Sequence, residues 1–361
     1  MAVGVVRQAV LVFVLALLVG ASEALPQQSV SAAIPSPTVV AGLPSAPHVG
    51  SRFRNLDPEY HRASLWARAR SLIVGGTWLV GERRVAPLPL VHPDVAALRK
   101  NSSEATVTWV GHSTLLVQLD GVNFLTDPTW AGRSGPFGGL IGVGRYTPPA
   151  IAFDELPRID FVLISHDHYD HLDEPTVRHL AQAFNPRFVV PLGLKRWLAD
   201  RGITNAVELD WGESVRIGAV TVVCTPAQHG SGRTLADQGR RLWSSWAVLG
   251  SKRFYFAGDT GYYQHFKEIG DALGPFDLAA LPIGSYTPRA LAKPVHMSPE
   301  EALQAWQDLR AAKFLGIHWG TFALAREPYD EPPRRIAEEV VRRQLDADRV
   351  LILQPGATTA W

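Results

Sequence analysis

The segment His166-Asp167-His168-Tyr169-Asp170-His171 constrains this chain more than any other stretch, because it crowds three imidazoles and two carboxylates into six residues. Zinc takes imidazole nitrogen and carboxylate oxygen at about 2.0–2.2 Å, and catalytic sites keep a position open for water. On a tight loop His166 and His168 can point to one side while Asp170 and His171 turn to the other. That arrangement suits two ions about 3.5–4 Å apart. Cys224 is the only cysteine, so there is no intrachain disulfide and no thiolate cluster. A metal site here must be built from histidine and carboxylate.

Around this loop the sequence reads as short strands. Thr106–Val110, Leu115–Leu119 and Val122–Leu125 are β-rich, and Asp120-Gly121 between the last two is a hairpin turn signal. Ile159–Ile164 is a continuous apolar run that ends at the histidine cluster, as expected of a buried strand delivering a loop. Helices are expected at Pro175–Phe184 and Leu194–Arg201. A second β-rich half follows with Val220–Thr225, Trp246–Leu249, Arg253–Ala257 and Leu278–Ile283. Ser298-Pro299-Glu300-Glu301 reads as an N-cap, a first-position proline and a capping-box Glu. The helix it opens should run to about Ala311, before strand Phe314–Ile317 and a last helix near Pro333–Leu345. Two β-rich halves, each trailing helices, imply two packed sheets with helices outside. Three further ligand candidates stand just beyond strands: His229, Asp259 and His318. Polar groups at strand ends project at a sheet edge, where clefts form.

The order Asp127, H-x-H-x-D-H, His229, Asp259, His318 is similar to that of the metallo-β-lactamase superfamily. More narrowly, the chain resembles the N-acylphosphatidylethanolamine-hydrolysing phospholipase D family. The resemblance is carried by Trp109–His112, Leu125–Pro128, Val162–Asp173, Val190–Leu194, Glu208–Trp211, Phe256–Tyr262, Gly274–Ala279 and Ile317–Ala325. It implies an α+β fold, the αββα sandwich, over a catalytic domain at 105–361. It implies two zinc ions per chain, one on His166, His168 and His229, the other on Asp170, His171 and His318. Asp259 would bridge them, Asp170 and Asp259 being the catalytic carboxylates, and a bridging hydroxide would be the nucleophile. Asp127 and His112 would support the ligands from behind. Tyr169 and His296 would hold a phosphodiester, the substrate being a phospholipid at a membrane surface, and the family suggests a homodimer. Another zinc hydrolase of the same fold, a lactonase or a phosphodiesterase for soluble substrates, is the alternative. A non-catalytic zinc-binding envelope protein is a further one. Residues 260–317 leave no room for the inserted domain usual in nucleases of this fold. The near-match His265-Phe266-Lys267 to another phospholipase D motif has no second copy.

Lys+Arg (35) and Asp+Glu (34) almost cancel, which argues against a nucleic-acid partner. Arg7 followed by the apolar run Ala9–Val19 reads as an export signal over 1–24, cleaved or kept as an anchor, and implies a periplasmic or envelope location. Residues 25–52 are rich in Pro, Ser and Ala and read as a tether. An extension over 53–104 carries Leu65, Trp66, Ala69, Leu72 and Ile73 at helical spacing beside Arg62, Arg68 and Arg70.

Overall fold

The computed structural model describes residues 36–57, 60, 86–101 and 103–361. The export signal at 1–24, residues 25–35 of the tether and the apolar stripe at 65–73 lie outside the described residues. Two large sheets hold strands β1 (Thr38–Val39), β2 (Thr106–Gly111), β3 (Thr114–Leu119), β4 (Val122–Thr126), β5 (Phe161–Leu163), β6 (Arg187–Pro191) and β7 (Ala206–Leu209). They continue with β8 (Glu213–Ile217), β9 (Val220–Thr225), β10 (Ser245–Leu249), β11 (Arg253–Phe256), β12 (Leu278–Pro282), β13 (Lys313–Ile317), β14 (Val350–Leu351) and β15 (Thr358–Ala360). The seven-stranded sheet has the order β7-β6-β5-β4-β3-β2-β15, and the eight-stranded sheet β1-β8-β9-β10-β11-β12-β13-β14.

The hairpin β3–β4 forms where the Asp-Gly pair stands. Asp120 (φ 51°) and Gly121 (φ 77°) both adopt the left-handed backbone a tight two-residue turn requires, and Leu119 pairs with Val122 across it. Side chains alternate along β3. Leu115, Val117 and Leu119 enter the core between the sheets, while Leu116 faces a second core under the helices. That outer core receives Val177 and Leu180 from α2 (Glu174–Phe184) and Leu194, Trp197 and Leu198 from α3 (Leu194–Ala199), with Leu98 from α1 (Val95–Lys100). On the other flank, α4 (His265–Leu273), α5 (Pro299–Asp308) and α6 (Glu331–Arg342) cover the eight-stranded sheet with Phe266, Ile269, Leu303, Trp306 and Ile336. The layering is therefore helix, sheet, sheet, helix, an α+β sandwich as expected. Ser298 caps α5 with Glu301 reaching back, completing the capping box. His265, read above in the rejected motif, is a buried residue at the start of α4.

Strands β6, β7 and β8 were not marked in the sequence reading, and three further features depart from it. Residues 36–53, the end of the tether, are partly ordered: β1 pairs with Ser214 and Glu213 of β8, and a small hairpin pairs His48–Val49 with Arg52–Phe53. The composition is tether-like, but Thr38 and Val39 are β-formers that complete an edge. The last helix stands near where it was expected, but the strand beyond it was not expected: β15 closes the first sheet against β2 and buries Trp361 beside Phe254. Finally, β5 is shorter than its apolar run, although Ile159 and Ile164 remain buried beyond its ends.

Phe161, the first residue of β5, is fully buried and stacks on Phe124 with ring centroids 4.5 Å apart. Phe161→Ala is expected to destabilise the protein by about 3–5 kcal/mol, read from urea unfolding. A loss below about 1 kcal/mol would show that the inter-sheet core does not depend on this pair.

Candidate metal centre

Strand β5 runs out at Leu163, and the histidine loop follows at one edge of the sandwich. Asp127 arrives beside it from the end of β4, its amide donating to the Leu163 carbonyl at 2.8 Å. The Asp127 carboxylate is fully buried. It accepts the Ser165 amide (2.6 Å), the Ser165 hydroxyl (2.6 Å) and His171 Nδ1 (2.7 Å). Burial pushes its pKa up, against the pull of His171 and Ser165. Because a carboxylate only accepts, the His171 proton sits on Nδ1 and Nε2 points inward. There Nε2 lies 3.2 Å from Asp259 Oδ2 and 3.3 Å from Asp170 Oδ2. Asp127 (φ 36°), His112 (φ 55°) and His318 (φ 60°) all hold left-handed backbone, an uncommon conformation that concentrates at functional sites.

The predicted ligands converge in two groups. His166 Nε2 lies 2.8 Å from His168 Nδ1, and His229 Nε2 lies 3.1 Å from the same atom. His229 gives its Nδ1 proton to the Val295 carbonyl at 2.9 Å, so its lone pair is on Nε2. In the other group Asp170 Oδ2 faces His112 Nε2 (3.0 Å), His171 Nε2 (3.3 Å) and His318 Nε2 (3.5 Å). Asp259 stands between the groups, with Oδ1 3.0 Å from His318 Nε2 and Oδ2 3.8 Å from His229 Nε2. Within each group the donor atoms lie inside 4.8 Å of one another.

Burial drives His166 and His229 well below the ordinary imidazole range, leaving neutral rings with available lone pairs. Burial also brings His112 down to about 3. Asp170 and Asp259 behave oppositely: burial opposes ionisation, but His171 above all holds both carboxyls well below their usual range. His318 is buried too, yet Asp259 and Asp170 raise it to about 9. The His166 and His229 Nε2 atoms both lie within hydrogen-bonding distance of His168 Nδ1, so three ring nitrogens converge with a spacing that suits a shared cation. Beside the second group, His171 Nε2, both His318 ring nitrogens and Asp259 Oδ1 are buried without a well-aimed hydrogen bond among the described residues, although His318 Nε2 and Asp259 Oδ1 stand 3.0 Å apart. The donor set, imidazole nitrogen plus carboxylate, therefore fits metal ions.

His296 joins the rim. Its Nδ1 is 3.8 Å from Asp259 Oδ2, its ring centroid 5.2 Å from that of His229, and burial lowers its pKa to about 4. Tyr169 commits its hydroxyl to the Arg233 carbonyl at 3.0 Å, with the Arg233 guanidinium 4.0 Å over its ring. Its edge borders an open groove shared with Phe137, Arg178 and Thr234. Several contributors were not singled out by sequence. Asn55, from the extension, grips the His229 backbone with both amide atoms, at 2.9 and 3.0 Å. Ser165 joins Asp127 to His166, and Arg233 and Arg241 reach the histidine loop from residues 230–241. A lone Asn and dispersed arginines carry no periodic or motif signal, whereas Ser165 was visible as the neighbour of the first histidine.

This fold and this centre define a metal-dependent hydrolase, and the chain belongs to the metallo-β-lactamase superfamily. A family model described as the Beta-lactamase superfamily domain matches residues 122–319. The chain is 46% identical over 269 residues to the N-acyl-phosphatidylethanolamine-hydrolyzing phospholipase D 1 of Caenorhabditis elegans, covering 71% of this chain and 75% of the relative. An uncharacterized protein of Mycobacterium tuberculosis is 43% identical over 296 residues, covering 79% of this chain and 77% of its own. Among solved structures, the metallo hydrolase Igni18 from Ignicoccus hospitalis superposes with a TM-score of 0.56 at 24% identity. The match spans 72% of this chain and 99% of that one, and shows the shared fold.

Proposed function

We propose that the chain is a dinuclear zinc phosphodiesterase that hydrolyses N-acylphosphatidylethanolamine, or a related glycerophospholipid, in the phospholipase D manner. The observation that carries this reading is the 46% identity to the worm phospholipase D, joined to an intact set of converging ligands. One ion is assigned to His166, His168 and His229, the other to Asp170, His171 and His318, with Asp259 between them. Bound there, zinc supplies Lewis acidity toward a phosphoryl oxygen and lowers the pKa of water toward 7. The chain's own groups orient the reaction. Asp127 and Val295 fix the ring tautomers of His171 and His229, and the Asp170 and Asp259 carboxylates balance cationic charge. His296, neutral at the rim, would donate to a phosphodiester oxygen, and Tyr169 would border the substrate path. Water oxygen bonds to phosphorus as the bond from phosphorus to the ethanolamine oxygen breaks, and the leaving oxygen takes the proton. The products are phosphatidic acid and an N-acylethanolamine.

A lipid substrate is supported by the exposed side chain of Phe137 (78% exposed), which lines the groove that Tyr169 borders, and by exposed Leu140 (78%) and Leu235 (83%), close in sequence to the lining residues Gly138 and Thr234. Apolar side chains clustered in water mark contact sites. Phe137→Ser/Leu140→Ser should lower turnover of substrate in phospholipid vesicles roughly tenfold or more, since burying each side chain is worth about 1.5–3 kcal/mol. Turnover of a short-chain soluble phosphodiester should not change. Equal loss on both substrates would count against the lipid-facing role.

The export reading extends this proposal to an envelope location, on the strength of Arg7 and the run Ala9–Val19. Among the described residues no helix is long and apolar enough to cross a membrane. A homodimer belongs to the same proposal and is read by light scattering. The function itself is tested by incubating the zinc-loaded protein with N-acylphosphatidylethanolamine and detecting N-acylethanolamine. A protein inactive on every phospholipid but able to open a lactone would replace this reading with the lactonase one.

A further inference from the structure

The geometry points to Arg233 as a positioning residue that pins both ends of the metal-binding loop with one guanidinium. This inference rests on the ligand assignment above, but not on the lipid substrate. Arg233 Nη1 donates to the Asp167 carbonyl at 3.0 Å and to the Leu172 carbonyl at 2.8 Å. Between those two carbonyls lie His168, Asp170 and His171, three of the assigned ligands. The same guanidinium covers the Tyr169 ring, and the Tyr169 hydroxyl donates back to the Arg233 carbonyl. The tie is therefore reciprocal: the loop holds the arginine's backbone while the arginine's side chain holds the loop.

A second tie lies beside the first. Asp167 is fully buried although its neighbours on both sides are candidate ligands. Its Oδ1 accepts the Gly232 amide at 2.7 Å, and its Oδ2 accepts Arg241 Nη1 at 2.6 Å. Asp237 steadies the strap, accepting Arg241 Nη1 (2.8 Å), the Arg233 amide (3.0 Å) and the Thr234 amide (2.7 Å). His229 is four residues before Arg233, so this strap carries a ligand of the first ion while it clasps the loop that carries the others.

The physical consequence is preorganisation. Ordering a free loop costs backbone entropy at every residue, a cost that would otherwise be subtracted from metal affinity. The folded strap meets that cost before an ion arrives. Arginine suits the position because its planar head can fork to two carbonyls while stacking on an aromatic face.

The test measures zinc affinity by chelator competition on the full-length protein, with no lipid present. Arg233→Ala should bind zinc about ten- to a hundredfold more weakly, the range for supporting residues behind ligands. The melting temperature of its metal-free form should stay close to wild type, and millimolar methylguanidinium should restore affinity. Arg233→Lys, which keeps a charged donor and guards against a misfolded alanine variant, should fall between the two. The inference is overturned if both variants bind zinc as tightly as wild type. It is also overturned if affinity falls only in step with metal-free stability and methylguanidinium restores nothing. Failure of the metal assignment looks different, because wild type itself would then bind no zinc. Failure of the lipid reading would leave these affinities unchanged.

Discussion

Asp259→Asn is expected to lower kcat/KM by about a thousandfold or more while leaving the fold intact. Asp259 follows β11 after Gly258, whose left-handed backbone (φ 57°) lets the chain pass close to Ser165. A β-carbon at Gly258 would stand 2.5 Å from that of Ser165, so the turn that aims Asp259 needs a glycine. The carboxylate then sits among four imidazoles: His318 at 3.0 Å, His171 at 3.2 Å, and His229 and His296 at 3.8 Å. Its two oxygens face members of both ligand groups. Asparagine keeps the shape but removes the negative charge, and its NH2 group would turn a donor toward ring nitrogens or a cation. Metal-centred charge stabilisation is worth several kcal/mol, and about 4 kcal/mol corresponds to a thousandfold. The assay pairs steady-state kinetics with metal analysis of the same sample, which should show less zinc than wild type. Activity within tenfold of wild type, with full metal content, would remove Asp259 from the centre.

The parts of this molecule that were legible in sequence are those whose cause is local. The Asp120-Gly121 turn, the Ser298–Glu301 capping box and the His166–His171 loop each declare themselves within six residues. Strand-end ligands such as His229 and His318 were legible because an apolar run ending in a polar residue projects that residue at an edge. Strands β6, β7 and β8 were harder to read. Pro191 and the short, half-polar Glu213–Ile217 weaken the period-two pattern that burial and pairing then enforce. Contacts across long separations left no trace at all. Asn55 lies 174 residues from His229, and Arg241 lies 74 from Asp167, so only the folded chain brings them together. The candidate ligands were thus visible in the sequence, while the groups that hold each of them in its tautomer and direction were mostly not.

The second large effect is expected from Asp127, a residue that lies behind the ligands. Asp127→Asn should weaken zinc binding about ten- to a hundredfold and cost roughly 3 kcal/mol of stability. The reasoning follows the protons. Oδ1 accepts the Ser165 amide, while Oδ2 accepts the Ser165 hydroxyl and His171 Nδ1. An asparagine presents an NH2 group at one of those positions. Facing the Ser165 amide, two donors would meet in a fully buried spot. Facing His171, the NH2 would demand a lone pair on Nδ1 and push the ring proton to Nε2. That nitrogen is the one lying 3.2 Å from Asp259 and assigned to the metal, so the favoured tautomer becomes the wrong one for binding. Ser165→Ala should do less, because it removes a single hydroxyl and leaves the His171 bond in place. Zinc competition on both variants, with urea unfolding of their metal-free forms, separates the two effects. An Asp127→Asn protein that binds zinc within twofold of wild type would show that His171 finds its tautomer without the carboxylate. The mechanism would then lose its account of how the second ion's histidine is set.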